Sequence, residues 1–196
     1  MIKKLSYIII IFIFCISELK SQEESYTGLD NELGRGYAAI SFTFNNIDGN
    51  FALFTGGDCG FIIKKYRIGA FFNGLSSKTK VKNENGDKYR FSSSYGGLLF
   101  GYEFYRQKSL TFVSNMKFFA GRMATFSDAN KYQRNNKTIF YGINPGIFLE
   151  YYFNEYFGLS VGIDYKYCFF SDENNFYSKS VMNLPGVVLS LKLGNF

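Results

Sequence analysis

The chain has 196 residues, a formal charge of +6, no His, no Trp, and 20% aromatic residues supplied by Phe and Tyr. That length fits one domain once a leader is removed, and the small, dispersed positive excess excludes a nucleic-acid surface. The missing histidine removes Ser-His and Cys-His nucleophile activation and His-bearing metal sites. With 20 Gly against only 2 Pro and so many rings, the composition favours β structure over helix.

Residues 1–21 read as a secretory signal peptide. Lys3 and Lys4 give its positive end, Leu5 to Ile16 is apolar apart from Ser6 and Tyr7, and polar residues follow at once. Cleavage after Ser21 or after Ser17 both fit. The apolar run is shorter than the ~20 residues of a membrane helix. Phe14 stands before Cys15 where lipidation requires a small residue, which argues against an anchor there. Removing residues 1–21 leaves 19 basic against 15 acidic residues. Residues 22–35 are polar and aperiodic, the pattern of a flexible periplasmic segment, and residues 36–196 form the folded domain.

Strands follow one another to the end of the chain. The first runs from about Gly36 to Asn45, with Ala38, Ile40, Phe42 and Phe44 on one face. Asp48-Gly49 supplies the positive φ of a tight hairpin. A second strand, about Phe51 to Ile63, is interrupted by Gly56, Gly57 and Gly60, which mark a bulge or room for bulky neighbours. Lys64-Lys65 reverses the chain into a third, about Tyr66 to Leu75. Ser76 to Arg90 is a long polar loop. The fourth covers about Phe91 to Tyr105 and turns through Arg106 to Ser109 into the fifth, about Leu110 to Met123. Ala124 to Lys137 is a second long loop. The sixth carries Ile147, Leu149, Tyr151 and Phe153 on one parity and turns at Asn154-Glu155. In the seventh, Phe157, Leu159, Val161, Ile163, Tyr165, Tyr167 and Phe169 alternate with Gly158, Ser160, Gly162, Asp164, Lys166 and Cys168. Ser171 to Ser180 is a third long loop. The eighth strand alternates Val187, Leu189, Leu191 and Leu193 with Val188, Ser190, Lys192 and Gly194.

Period-2 alternation of this kind makes a ribbon with one oily and one polar face. The connections alternate too, with numbers two, four and six short; of the others, only the first, at Asn46 to Asn50, is unusually tight. In outer-membrane barrels the short turns face the periplasm, so both termini belong on that side and the strand count is even, about eight. An eight-stranded barrel has an interior just wide enough for side chains. The oily parity is too bulky for it, whereas the Gly- and Ser-containing parity fits. The expected fold is therefore all-β: a single up-and-down antiparallel transmembrane β-barrel of about eight strands.

The oily residues Phe42, Ile68, Phe100, Phe118, Leu149, Leu159, Val161, Ile163, Leu189 and Leu191 then face lipid. Asp58, Glu103, Glu150 and Asp164, with Arg67, Lys117, Lys166 and Lys192, then form a neutral lumen charge network. Isolated ions in a narrow barrel cost several kcal/mol each, so pairing or hydration is expected. Tyr66, Tyr102, Phe104, Tyr151 and Tyr167 near strand ends suit interfacial girdles. Cys59 shares the oily parity and Cys168 the polar one, so the two are not expected to form a disulfide.

The segments Gly56-Gly57-Asp58-Cys59-Gly60-Phe61-Ile62-Ile63, Tyr95-Gly-Gly-Leu-Leu-Phe-Gly-Tyr-Glu-Phe104, Pro145-Gly-Ile-Phe-Leu-Glu-Tyr-Tyr152, Phe157-Gly-Leu-Ser-Val-Gly162, Tyr165-Lys-Tyr167 and Leu191-Lys-Leu-Gly-Asn-Phe196 resemble small outer-membrane β-barrel proteins of Bacteroidetes-type bacteria. That resemblance spans almost the whole mature chain and rests on strand patterning. It implies an outer-membrane address and insertion by the barrel-assembly machinery. One departure stands out. Phe196 shares parity with Gly194 and Lys192 rather than with Leu193 and Leu191, so the terminal signal is imperfect or a bulge shifts the register near Gly194-Asn195.

For function, the leading expectation is a non-enzymatic outer-membrane protein with a structural or surface-interaction role. Its lumen is filled by side chains, and an extracellular partner of unknown identity meets the long loops. No catalytic residue, metal site or cofactor is assigned. The alternatives are a narrow pore or small-solute channel and a secreted soluble barrel binding an apolar ligand. Glu150 with Asp164 is the nearest thing to an acid–base dyad, and salt-bridged lumen filling explains both better. Gly56-Gly57-Asp58-Cys59-Gly60 lacks the Lys-Ser/Thr and following helix of a phosphate loop. Asp172-Glu173-Asn174-Asn175 reads as solvated loop.

Overall fold

The computed structural model describes residues 34–82, 88–107, 109–127, 134–170 and 183–196. The expected signal peptide, nearly all of the lead-in segment and the third long loop lie outside those residues. Nine strands follow in order: β1 (Arg35–Ile47), β2 (Asn50–Ile63), β3 (Tyr66–Leu75), β4 (Lys80–Lys82), β5 (Lys88–Gln107), β6 (Leu110–Ser127), β7 (Arg134–Tyr152), β8 (Phe157–Phe170) and β9 (Leu184–Gly194). Each long strand pairs antiparallel with its sequence neighbour, β3 pairs with β5, and β9 returns to β1. Eight strands thus close into an up-and-down barrel, as the alternation led one to expect. The short β4 adds a three-residue ladder to β5.

Local chemistry sets the turns. Asp48 and Gly49 take φ of 51° and 75°, the left-handed pair that matches strand twist in a two-residue hairpin. Lys64 takes φ 57° in the next reversal. Asn154 closes the β7–β8 turn by accepting from the backbone N–H of Tyr156 and Phe157, each at 2.8 Å.

The strands depart from the sequence reading in four places. β5, β6 and β7 run further at the end away from the termini, so much of the expected loops at 76–90 and 124–137 is ladder. Hydrophobic alternation reports a boundary between two media, and it fades where a strand rises past that boundary. Backbone pairing continues regardless, as at Arg90↔Phe126 and Ala124↔Lys137. β2 is unbroken, its pairings with β1 and β3 keeping one register throughout. Its glycines answer a need for room: a Cβ at Gly56 or Gly60 would collide with the β3 backbone.

A bulge does occur in β5, where the register slips between Glu103 and Tyr105. Phe104 and Tyr105 consequently both face outward, although consecutive strand residues should alternate. Finally, the β9 ladder keeps one register through Gly194, so no bulge resolves the parity of Phe196. The strand simply stops. The Phe196 N–H donates to Glu155 O at 3.0 Å, and its ring lies 4.3 Å from that of Tyr152. The terminal ring therefore folds under the lumen instead of joining the outer wall.

Pro145 sits in mid-strand. The β7–β8 ladder skips Asn144 and Pro145 between the pairs Ile143↔Tyr167 and Gly146↔Asp164. Proline has no N–H to give, so the sheet loses a rung there without losing register.

Candidate functional site: the barrel lumen

The wall is oily and the interior carries the charge. Leu159, Ile163 and Leu191 are 39%, 64% and 44% exposed, whereas Arg67, Glu150 and Lys166 are at most 1% exposed. Phe42, Ile68, Phe100, Phe118, Val161 and Leu189 are exposed on the same outer surface, and Leu149 is partly covered there.

Four of the eight ionisable residues assigned to the lumen from sequence come together near the end that carries the termini. Arg67, from the start of β3, donates Nε and Nη2 to Glu103 Oε1 at 3.1 and 2.6 Å. Its Nη1 and Nη2 reach Glu150 Oε1 and Oε2 at 2.9 and 2.8 Å, a bidentate fork. Lys192 of β9 also donates to Glu150, and the Tyr152 hydroxyl bonds both Glu150 and Arg67. Two cations and two carboxylates thus neutralise one another across the lumen. Strand register brings them there: Arg67 lies opposite Gly101, which leaves its long side chain free to cross the interior.

The other four do not join this cluster. Asp164 Oδ2 accepts from Asn144 Nδ2 at 3.1 Å. Lys117 lies 5.1 Å from the Phe71 ring centroid. Among the described residues Lys166 Nζ has no hydrogen-bond acceptor; it sits 4.2 and 4.9 Å from the rings of Phe54 and Tyr95, held by their π faces. Asp58 is only partly buried, and its Oδ1 accepts from Ser41 Oγ at 3.3 Å. Glu150 and Asp164 make no dyad. Glu150 lies opposite Ser160, four residues along β8 from Asp164, roughly 13 Å at strand rise.

Beyond the charges the lumen is aromatic, which the sequence reading missed. Phe54, Tyr95, Phe119 and Phe140 pack face to edge at centroid distances of 5.0 to 6.3 Å. Five inward rings meet a glycine across the ladder: Phe71 opposite Gly97, Tyr95 and Phe140 opposite Gly121, Phe119 opposite Gly142, Phe148 opposite Gly162, whereas Phe54 lies between Thr43 and Leu75. A Cβ at Gly121 would fall 2.6 Å from Tyr95 Cβ, and one at Gly162 would fall 2.8 Å from Phe148 Cγ. Rings and glycines therefore fill the interior as complementary pieces. The signal was present in the polar parity, as an inward ring on one strand facing an inward glycine on the next.

Among the described residues this arrangement fills the cylinder with side chains, and no imidazole stands beside a hydroxyl or thiol, because the chain has no His. Cys168 is buried among the rings and Cys59 is exposed on the wall, so the two do not bridge.

No protein-family model and no curated protein matches the chain. Among solved structures it is similar to the N-terminal β-barrel domain of Pseudomonas aeruginosa OprF, with a TM-score of 0.56 and 15% identity, covering 83% of this chain and 99% of that one. It is also similar to Neisserial surface protein A, with a TM-score of 0.52 and 14% identity over 83% of this chain and 96% of that one. At such identities the likeness shows the fold.

Proposed function

We propose that the chain is a non-enzymatic outer-membrane β-barrel protein with a plugged lumen. Both termini face the periplasm, and the longer connections present a surface to an extracellular partner. The observation that carries this reading is the inverted distribution of polarity. A water-soluble barrel exposing Ile163, Phe72, Phe61 and Leu98 at 48% or more of their surface would aggregate. In lipid the same residues are in their preferred solvent, and closure of the eight-strand ladder pairs each long strand on both sides.

The strand lengths agree with this. About 9–11 residues cross a bilayer, so β5, β6 and β7, at 20, 18 and 19 residues, continue well beyond it at the end opposite the termini. On this reading insertion falls to the barrel-assembly machinery, and the resemblance in strand patterning supports kinship with the small outer-membrane barrels of Bacteroidetes-type bacteria. Rings and ion pairs across the lumen weigh against a conducting pore, and the oily exterior weighs against a soluble ligand carrier.

Fractionation tests the reading. The protein should appear in the detergent-soluble outer membrane and migrate faster unheated than boiled. Recovery in the periplasmic wash would overturn it. Planar-bilayer recording should give no steady conductance from the folded protein.

A further inference from the structure

We infer that the end of the barrel carrying the termini holds a site for the phosphate of an anionic lipid headgroup. This rests on the membrane reading above, because that reading puts this end at the inner face of the outer membrane. A cleft of about 240 Å³ opens there between the start of β1, the β2–β3 turn and the end of β5. Four cations line it: Arg35, Lys64, Lys65 and Arg106. Arg35 lies within electrostatic reach of Arg106.

The carboxylate among the lining residues, Glu103, is 3% exposed and already committed. It holds Arg67 through two bonds and Arg106 at 3.7 Å. Guanidinium forks and ammonium groups are the donors that phosphate oxygens favour.

The same cleft has an apolar wall, which points to a lipid. The β5 bulge turns Phe104 and Tyr105 outward together, and both line the cleft. Tyr66 and Tyr102, paired across β3 and β5, meet at a tilt with ring centroids 5.3 Å apart, both exposed. The backbone N–H of Glu103 donates to Lys65 O at 2.8 Å, pinning the lysine turn to the bulged strand. Rings suited to the top of the acyl region thus adjoin cations just beyond it. The bulge is the device that puts them in one place.

The test uses the full mature chain in lipid nanodiscs and reads lipid retention by native mass spectrometry. Phosphatidylglycerol should be held in preference to phosphatidylcholine, and added salt should weaken the preference. A Lys64→Asn/Lys65→Gln double variant should lose about thirtyfold in apparent affinity, at the usual contribution per lysine near an anionic surface. Asn suits the left-handed backbone at position 64. Lys80→Gln, at the opposite end, should leave retention unchanged. Equal retention of both lipids by a barrel that still shows its heat shift would overturn this site alone. Loss of the heat shift would overturn the membrane reading and the site with it. Glycerol phosphate competing as well as the lipid would assign the cleft to a soluble phosphate and refute the lipid. If retention emerges only after Glu23, Glu24, Asp30 and Glu32 are all changed to Gln, the chain's own acids fill the cleft and the inference fails.

Discussion

Arg67 offers the sharpest perturbation, because its guanidinium serves both lumen carboxylates. Replacing it with Met removes its bonds to Glu103, Glu150 and Tyr152 together. Glu150 keeps Lys192. Among the described residues Glu103 keeps Arg106 alone as a charged partner, at 3.7 Å and on a side chain one-third exposed, while remaining 3% exposed itself. Breaking a buried pair from one side costs about 3–5 kcal/mol. The variant Arg67→Met should therefore unfold earlier in urea by that amount. Adding Glu103→Gln removes the stranded charge, and the double variant should recover about half of the loss or more. With no Trp in the chain, the assay is gel mobility or far-ultraviolet circular dichroism of the barrel in lipid vesicles. A wild-type midpoint for Arg67→Met, or a double variant weaker than the single one, would refute the account of the network.

Lys166→Met should cost less than about 1 kcal/mol or stabilise the barrel in the same assay, since among the described residues this ammonium has ring faces and no carboxylate in contact, and a thioether fills the space. Gly146→Ala should destabilise by about 1–3 kcal/mol, because the new Cβ falls 2.7 Å from Phe148 Cε2. Phe148→Leu should rescue part of that loss in the double variant, and an additive pair would contradict the packing described. For orientation, Lys78→Cys should react with a membrane-impermeant thiol reagent on intact cells, whereas Lys64→Cys should react only after the outer membrane is opened. The opposite pattern would invert the assigned topology.

The barrel was legible because strands such as β8 separate two media residue by residue: Ile163 and Asp164 cannot share a face, so the pattern declares itself. The closing of the ring followed from connection lengths. Two kinds of information were not in that pattern. Partner choice inside the lumen depends on how far strands shift against one another, which is why Glu103, Glu150 and Lys192 all meet Arg67 while Asp164 meets Asn144. Lumen rings such as Phe119 and Phe140 were masked by a parity that also carries glycines and lysines, although the glycines were the clue to them. Irregularities also escaped. The β5 bulge that turns Tyr105 outward leaves no mark on alternation until the register is known, and Thr125 and Asn136 pair in a ladder whose hydrophobic pattern has already faded.

The direction in which the two parities face decides everything above, and adjacent residues of β7 test it most directly. Ile147 is 56% exposed and Phe148 is 4% exposed. In a chain without native Trp, Ile147→Trp and Phe148→Trp each give one fluorophore, to be read in vesicles containing brominated lipid. Strong quenching for Ile147→Trp and little for Phe148→Trp is the predicted result. Quenching of Phe148→Trp with Ile147→Trp protected would contradict the account.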